Sequence, residues 1–441
     1  MQLPIYNEMY VVRRLLRAVA ALQYPRHLLE VQILNDSTDE TSTLIEESLP
    51  ELRQQGLNVH HLRRTERRGF KAGALAYGLQ HAQGDFIAIF DADFVPAPDF
   101  LLKALPYFAD PQVGVVQARW GHLNRDYSLL TELQAMALDA HFTIEQAGRN
   151  AGGLFINFNG TAGLWRKTTI TDAGGWQADT LTEDLDLSYR AQLKGWKFIY
   201  LEDLIVPAEL PVTMDAIRSQ QFRWNKGAAE CARKHVRAIL LQPMPWRIRL
   251  HALFHLLNSS AFVAVLTLAV FSLPLMMIKP LYPDHVIWSV LSVVSLVSCL
   301  NFAVFFYHSK RAQNLESFSI SRFLKKYILL LCVYLGLSLH NALAVVEGFL
   351  GRHSVFERTP KFNIISRNDD WRLNRYLNPR ISLKIIVEGL LGVVYAAAIV
   401  VSALSEQWMM VPFYILLSVG FLFVFATSIA HARRPLAIRM A

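Results

Sequence analysis

Two carboxylates one residue apart close a fully apolar run, Phe86-Ile-Ala-Ile-Phe90 followed by Asp91-Ala-Asp93. Acids this close repel unless a cation lies between them. Oxygen ligands suit Mg²⁺ or Mn²⁺, and phosphates would complete the shell. Such an ion would neutralise a diphosphate as it departs. Thr182-Glu183-Asp184 precedes the helical pattern Leu-Asp-Leu-Ser-Tyr-Arg. An acid there can simply cap a helix; read as chemistry, Asp184 takes the proton from an acceptor hydroxyl. Gln220-Gln-Phe-Arg223-Trp224 sets Gln220 and Arg223 on one helix face. The guanidinium suits phosphate, and the indole offers a face on which a sugar or base can stack. Arg67-Arg-Gly-Phe-Lys71-Ala-Gly73 puts cations just before a helix, where phosphate can sit. Phe158-Asn-Gly160-Thr161-Ala-Gly163 either lets the backbone pass close to a ligand or is a plain turn.

These residues need a scaffold that brings them together. Residues 11–24 carry a helical period, and Glu30–Leu34 is a strand ending at Asn35-Asp36. Helices follow over about 39–56 and 71–82, with a short strand at Val59–Leu62 between them. The run at 86–90 reads as a buried parallel strand. Alternating strands and helices predict a doubly wound α/β domain, in which ligands lie beyond the carboxyl ends of the strands. Asp36 and Asp91 both stand at such ends. Pro4-Ile-Tyr-Asn-Glu8 reads like the loop after a first strand with almost no strand before it. The expectation is therefore a truncated first strand, with upstream membrane helices also missing. Met1–Tyr6 does not read as a signal peptide.

From residue 250 the character changes. Residues 251–278, 285–307, 382–403 and 408–430 are each long enough to span a bilayer, with Tyr282, Trp288 and Trp408 near their ends. Segment 327–350 is also long enough, yet it holds His340, Asn341 and Glu347. Basic loops flank it: Lys310, Arg311, Arg322, Lys325 and Lys326 before, and Arg352 through Arg380 after. Both loops belong on the cytoplasmic side, so 327–350 is expected to be re-entrant or interfacial, leaving four spans. Residues 214–247 read as an amphipathic stretch lying at the surface.

The resulting division is an α/β domain at 1–213, interface helices at 214–249, membrane pairs at 250–308 and 382–431, an interfacial segment at 309–381 and a basic tail at 432–441. The net charge of +8 arises largely beside apolar spans, which argues against nucleic acid as partner. Three scattered cysteines give neither a disulfide framework nor a metal spacing. A transporter would carry charges within its spans, and these four carry almost none.

The order Asp36, Asp91-x-Asp93, Thr182-Glu-Asp184, Gln220-x-x-Arg223-Trp224 resembles the processive membrane glycosyltransferases of family 2, the cellulose synthase superfamily. Gln117-Ala-Arg-Trp120, Phe158–Gly163, Ala173-Gly-Gly-Trp176 and Lys194–Tyr200 resemble its cellulose-synthase-like A and C branches. The resemblance implies a GT-A fold and an inverting transfer to a β-glycan. Tyr6, Glu8 and Asp36 would hold the nucleotide, Lys71 the diphosphate, and Asp91 and Asp93 the nucleotide and metal. Asp184 would be the base. Gly160, Thr161, Glu183, Gln220 and Trp224 would line the acceptor, and Arg223 the diphosphate. Phe356-Glu-Arg-Thr359-Pro-Lys361 resembles the superfamily's gating loop, so Thr359 and Lys361 would close over the donor. UDP-glucose is expected ahead of GDP-mannose, and a growing polysaccharide ahead of a glycolipid acceptor. The catalytic domain is expected in the cytoplasm, with export of the polymer as a further possibility. No cyclic-dinucleotide-binding domain is expected after Arg434.

Overall fold

The computed structural model describes residues 1–282, 285–313, 319–372, 374–377 and 381–432. Arg380 and the basic tail from Arg433 lie outside the described residues.

The first half alternates strands and helices: β1 (Gln2–Ile5), α1 (Val12–Ala20), β2 (Glu30–Asn35), α2 (Thr41–Gln54), β3 (Asn58–Arg63), α3 (Phe70–His81), β4 (Phe86–Ile89) and α4 (Phe100–Ala104). There follow β5 (Val113–His122), α5 (Leu129–Ala140), α6 (Ala147–Ala151), β6 (Gly163–Arg166), α7 (Lys167–Asp172), α8 (Glu183–Leu193) and β7 (Lys197–Ala208). They build one seven-stranded sheet in the order β3-β2-β1-β4-β6-β5-β7. Its two faces bury separate cores. Leu3, Val31, Ile33 and Phe90 lie in one, and Ile87, Ile89, Val115 and Trp165 in the other. The apolar run at β4 is thus buried on both sides, as its lack of alternation implies.

One expectation is corrected here. The first strand exists: Gln2–Ile5 pair in parallel with Gln32–Asn35, and Gln2 also pairs with Ile89 of β4. The sheet is mixed. β6 runs antiparallel to β4 and β5, with Gly163 opposite Ile89. That reversal matters to the site, because it sets the beginning of β6 at the carboxyl end of β4. Ala162 N–H donates to the Ile89 carbonyl at 2.9 Å, and Asp91 N–H donates to Thr161 Oγ1 at 2.8 Å.

The second half is helical: α9 (Met214–Leu241), α10 (Trp246–Leu257), α11 (Ala261–Ile278), α12 (Ile287–Ala312), α13 (Ile320–Gly336), α14 (Ser338–Phe349), α15 (Leu383–Leu404) and α16 (Val411–Ala432). Among the described residues four helical stretches are long and apolar enough to cross a membrane: 246–281, 287–312, 383–404 and 411–432. They overlap the four predicted spans. Segment 327–350 falls on α13 and α14, which meet at a bend of 49°. A Cβ on Gly336 would run into the Gly420 carbonyl oxygen, so α13 and α16 touch backbone to backbone.

Helix α9 is not the surface-lying element its composition implies. Asn225, Lys226, Gly227, Glu230, Cys231 and His235 are all buried, because α8 covers one side of it and α14 the other. A Cβ on Gly227 would lie 2.5 Å from Thr182 Cγ2, and one on Gly348 of α14 would lie 2.6 Å from the Lys226 carbonyl. Two of the polar groups that made 327–350 look unfit for lipid also turn toward α9. His340 Nε2 pairs with the Arg218 carbonyl at 2.9 Å, and Glu347 lies 3.4 Å from Lys226.

One buried ion pair joins α9 to the apolar bundle. Arg218 Nη1 donates to Glu388 Oε1 of α15 at 2.9 Å, Nη2 bonds the second carboxylate oxygen, and Ser428 of α16 sits beside them. Removing one partner strands a buried charge, at about 3–5 kcal/mol. Glu388→Gln is therefore expected to lower the melting temperature of the detergent-solubilised protein. Glu388→Gln combined with Arg218→Met should recover most of the loss.

Candidate active site

The parallel strands β1, β2 and β4 end at one edge of the sheet, and each delivers a polar residue there. Tyr6 follows β1, Asp36 follows β2 and Asp91 follows β4. An open cleft beyond them encloses about 1290 Å³ of empty space including its mouth. Every sequence-predicted site residue lines it except Thr161. Thr161 is fully buried, so its expected contact with the acceptor is corrected. Its hydroxyl accepts from Asp91 N–H, which makes it a brace for the acidic turn.

A lysine pairs with each of the two aspartates. Lys71 Nζ stands 2.6 Å from Asp91 Oδ1, and Lys361 Nζ donates to Asp93 Oδ2 at 2.6 Å. The acids are unequal: the Asp91 side chain keeps 34% of its exposure, whereas Asp93 keeps 5%. Among the described residues no group of three or more His, Cys, Asp or Glu is arranged to hold a metal. One or two carboxylates are nonetheless what Mg²⁺ or Mn²⁺ requires when phosphates supply further oxygens. Asp91 fits as such a ligand, and Asp93 fits where Lys361 gives way.

Asp184 lies in the first turn of α8, with Glu183 ahead of it. Removal from water, with the Glu183 charge adding, pushes its carboxyl up to about 7, against the pull of Lys71. Glu183 moves up as well, first through burial. Gly160 has φ +81°, and a Cβ there would lie 2.9 Å from Asp184 Oδ2 and 3.4 Å from Lys71 Nζ. Lys71 also donates to the Gly160 carbonyl at 3.0 Å. Gly160 thus serves by having no side chain. Gly160→Ala combines left-handed strain with a displaced Asp184, and kcat is expected to fall roughly tenfold or more. Steady-state kinetics alongside nucleotide-binding calorimetry would check this.

Helix α8 is locked to α9 behind Asp184. Asp186 is fully buried. It pairs with His235 Nε2 at 2.7 Å, Lys234 Nζ at 2.8 Å and Arg190 Nη2 at 2.7 Å. Three cationic or hydrogen-bonding partners hold its carboxyl far below the usual range despite burial. Leu181 N–H also donates to Glu230 of α9 at 2.7 Å. The helix carrying Gln220, Arg223 and Trp224 therefore moves with the helix carrying Asp184.

Segment 356–363 lies over the cleft. Arg223 Nη2 donates to Thr359 Oγ1 at 2.7 Å, and its guanidinium stands 4.8 Å from the Phe356 ring. Arg358 Nη1 forms an ion pair with Glu8 at 2.7 Å. Burial first, and Asp93 after it, push the Glu8 carboxyl up to about 7 despite Arg358. Glu209 anchors the far end. Its two oxygens accept from Phe362 N–H at 2.8 Å and Asn363 N–H at 2.9 Å. Its carbonyl accepts from Lys361 at 3.1 Å.

Sequence reasoning missed Glu209, and also Arg64, whose Nε donates to Asp36 Oδ1 at 3.0 Å while Nη2 bonds the other oxygen. Both stand just past strand ends, after β7 and β3. That is the signal that singled out Asp36 and Asp91, and it could have found them. The Tyr6 ring is covered by Arg67, 3.4 Å from its centroid.

The profile of "Glycosyltransferase like family 2" matches residues 3–227, just over half of the chain. The chain belongs to this glycosyltransferase family. Among its relatives, the "Probable glucomannan 4-beta-mannosyltransferase 4" of Oryza sativa subsp. japonica is 39% identical over 309 residues, covering 68% of this chain and 56% of the relative. The "Glucomannan 4-beta-mannosyltransferase 2" of Arabidopsis thaliana is 44% identical over 244 residues, or 54% and 46% of the two chains. The chain spans about half the length of the curated relatives it matches. A solved mannosyltransferase from Pyrobaculum calidifontis, in complex with GDP-Man and Mn²⁺, aligns at a TM-score of 0.49 and 20% identity, covering 71% of this chain and 84% of that one. The resemblance to the cellulose synthase superfamily stands on the family match and the plant relatives.

Proposed function

We propose that the protein transfers a hexose, with inversion, from a nucleotide sugar to the end of a β-linked glycan. The observation that carries this reading is the convergence of Lys71, Lys361 and Arg223 with Asp184 and Trp224 on one cleft. Cations hold a departing diphosphate, a raised carboxyl serves as base, and an indole receives a sugar face. In a single displacement, Asp184 removes the proton of the attacking hydroxyl while Arg223, Lys71 and Lys361 steady the charge left on the diphosphate. A bound Mg²⁺ or Mn²⁺, held through Asp91 and Asp93, would neutralise further charge there.

The relatives are glucomannan mannosyltransferases by name, which favours GDP-mannose over the UDP-glucose expected above. A membrane position for the four apolar stretches is part of the proposal, with the cleft on the cytoplasmic side where nucleotide sugars are made. The contact of Arg223 with Thr359 supports a cytoplasmic place for the segment after α14. The deciding experiment incubates membranes with labelled GDP-mannose or UDP-glucose and Mg²⁺ or Mn²⁺, then sizes the product. A polymer cut by an endo-β-glycanase is expected. A lipid bearing one sugar would overturn the polymer reading.

A further inference from the structure

The cleft lining combines two kinds of group. Lys71, Lys361, Arg67, Arg223 and Arg358 supply the charge that a diphosphate requires. Trp120, Leu138, Leu210, Pro211 and Trp224 also line the cleft, with His122 beside them. These rings and apolar side chains suit a neutral polyol, because aromatic faces take its C–H groups.

The indoles of Trp120 and Trp224 are 6.5 Å apart at their centroids and tilted by 50°. That is too close for two faces gripping one sugar between them, and it suits consecutive sugars of a chain. Trp120 is stiffened from behind by Phe94 at 5.2 Å and Phe142 at 5.4 Å. Its Nε1 is buried without a hydrogen-bond partner among the described residues. His122 is fixed by Asp139, 3.1 Å from its Nε2. Helix α5, which supplies Leu138 and Asp139, packs through Leu130 against Leu337 and Val424 of the apolar bundle.

We propose that Trp120, flanked by His122 on its Asp139 support, is a binding platform for the acceptor's penultimate sugar, one unit beyond the sugar on Trp224. This inference rests on the polymer reading above. The test compares kcat/KM for β-linked hexose acceptors from disaccharide to hexasaccharide. Trp120→Leu keeps apolar bulk against Phe94 and Phe142 but removes the ring, and Trp120→Phe keeps a smaller ring. The wild-type gain from disaccharide to tetrasaccharide is expected to shrink about tenfold in Trp120→Leu, a loss typical of one buried aromatic contact, and to survive largely in Trp120→Phe. His122→Gln is expected to cut the same gain severalfold, and it carries the test should Trp120→Leu not bind GDP in a calorimeter. An unchanged length gain in a folded variant, or an equal loss on every acceptor, overturns the platform while leaving the polymer reading intact. A wild-type enzyme that extends no glycan and glycosylates only lipid overturns both.

Discussion

Asp184→Asn is expected to abolish transfer while nucleotide binding persists. The substitution keeps size and shape but removes the carboxylate proposed to accept the hydroxyl proton. General-base loss costs roughly 10²–10⁴-fold, and the low-dielectric surroundings of this carboxyl place the expectation at the upper end. Single-turnover sugar transfer, measured beside calorimetric binding of the nucleoside diphosphate, checks both halves. Retained turnover would remove Asp184 from the role of base. The wild-type profile carries a second mark of the same group. Burial and Glu183 raise this carboxyl to about 7, and the base must be ionised to act. Activity is therefore expected to fall as pH drops below about 7, well above the range of an ordinary aspartate. The stability effect runs the other way. The fold binds this proton more tightly than the unfolded chain does, so its stabilisation is present at low pH and lost as pH rises through about 7. Glu8, raised likewise by its burial, adds to that trend.

Glu209→Ala carries the second large effect, although Glu209 takes no part in the chemistry. Its carboxylate holds the N–H groups of Phe362 and Asn363, and Arg14 approaches it at 3.4 Å. Without it those donors lose their partners in a buried setting, at about 1–3 kcal/mol each. Thr359 and Lys361 are then no longer held against Arg223 and Asp93. Loosening of this kind can cost on the order of 10²-fold in rate. The expected signature is a fall in kcat/KM for the donor near that size with Asp184 and its pH dependence undisturbed. Limited proteolysis should open a new cleavage site within 356–363. An unchanged donor kcat/KM would show that the segment does not depend on Glu209.

Much of the catalytic half was legible along the chain, and for a local reason. A strand buried on both faces must be apolar throughout, so Phe86–Phe90 announces β4, and the acid that ends it announces the cleft. A helix that starts with acids announces its own first turn, so Asp184 could be placed at the head of α8. The helix bearing Arg223 was legible too, but its surroundings were not. Its mixed composition resembles a surface element, whereas α8 and α14 bury its polar residues by supplying partners. Lys226, Glu230 and His235 look solvent-bound until Glu347, Leu181 and Asp186 are set beside them.

The sequence by itself determined the strand-end acids, the residue types for binding a diphosphate and taking a proton, and the apolar stretches that follow. These depend on periodicity and on neighbours within a few residues. Tertiary structure alone decided the antiparallel insertion of β6, which brings Gly160 against Asp184 and buries Thr161 under Asp91. It also decided the clasp of Glu209 on Phe362 and Asn363, across more than 150 positions of chain. The physical reason is that a hydrogen bond or an ion pair is specified by distance in space. Partners far apart in the chain leave no periodic trace in it.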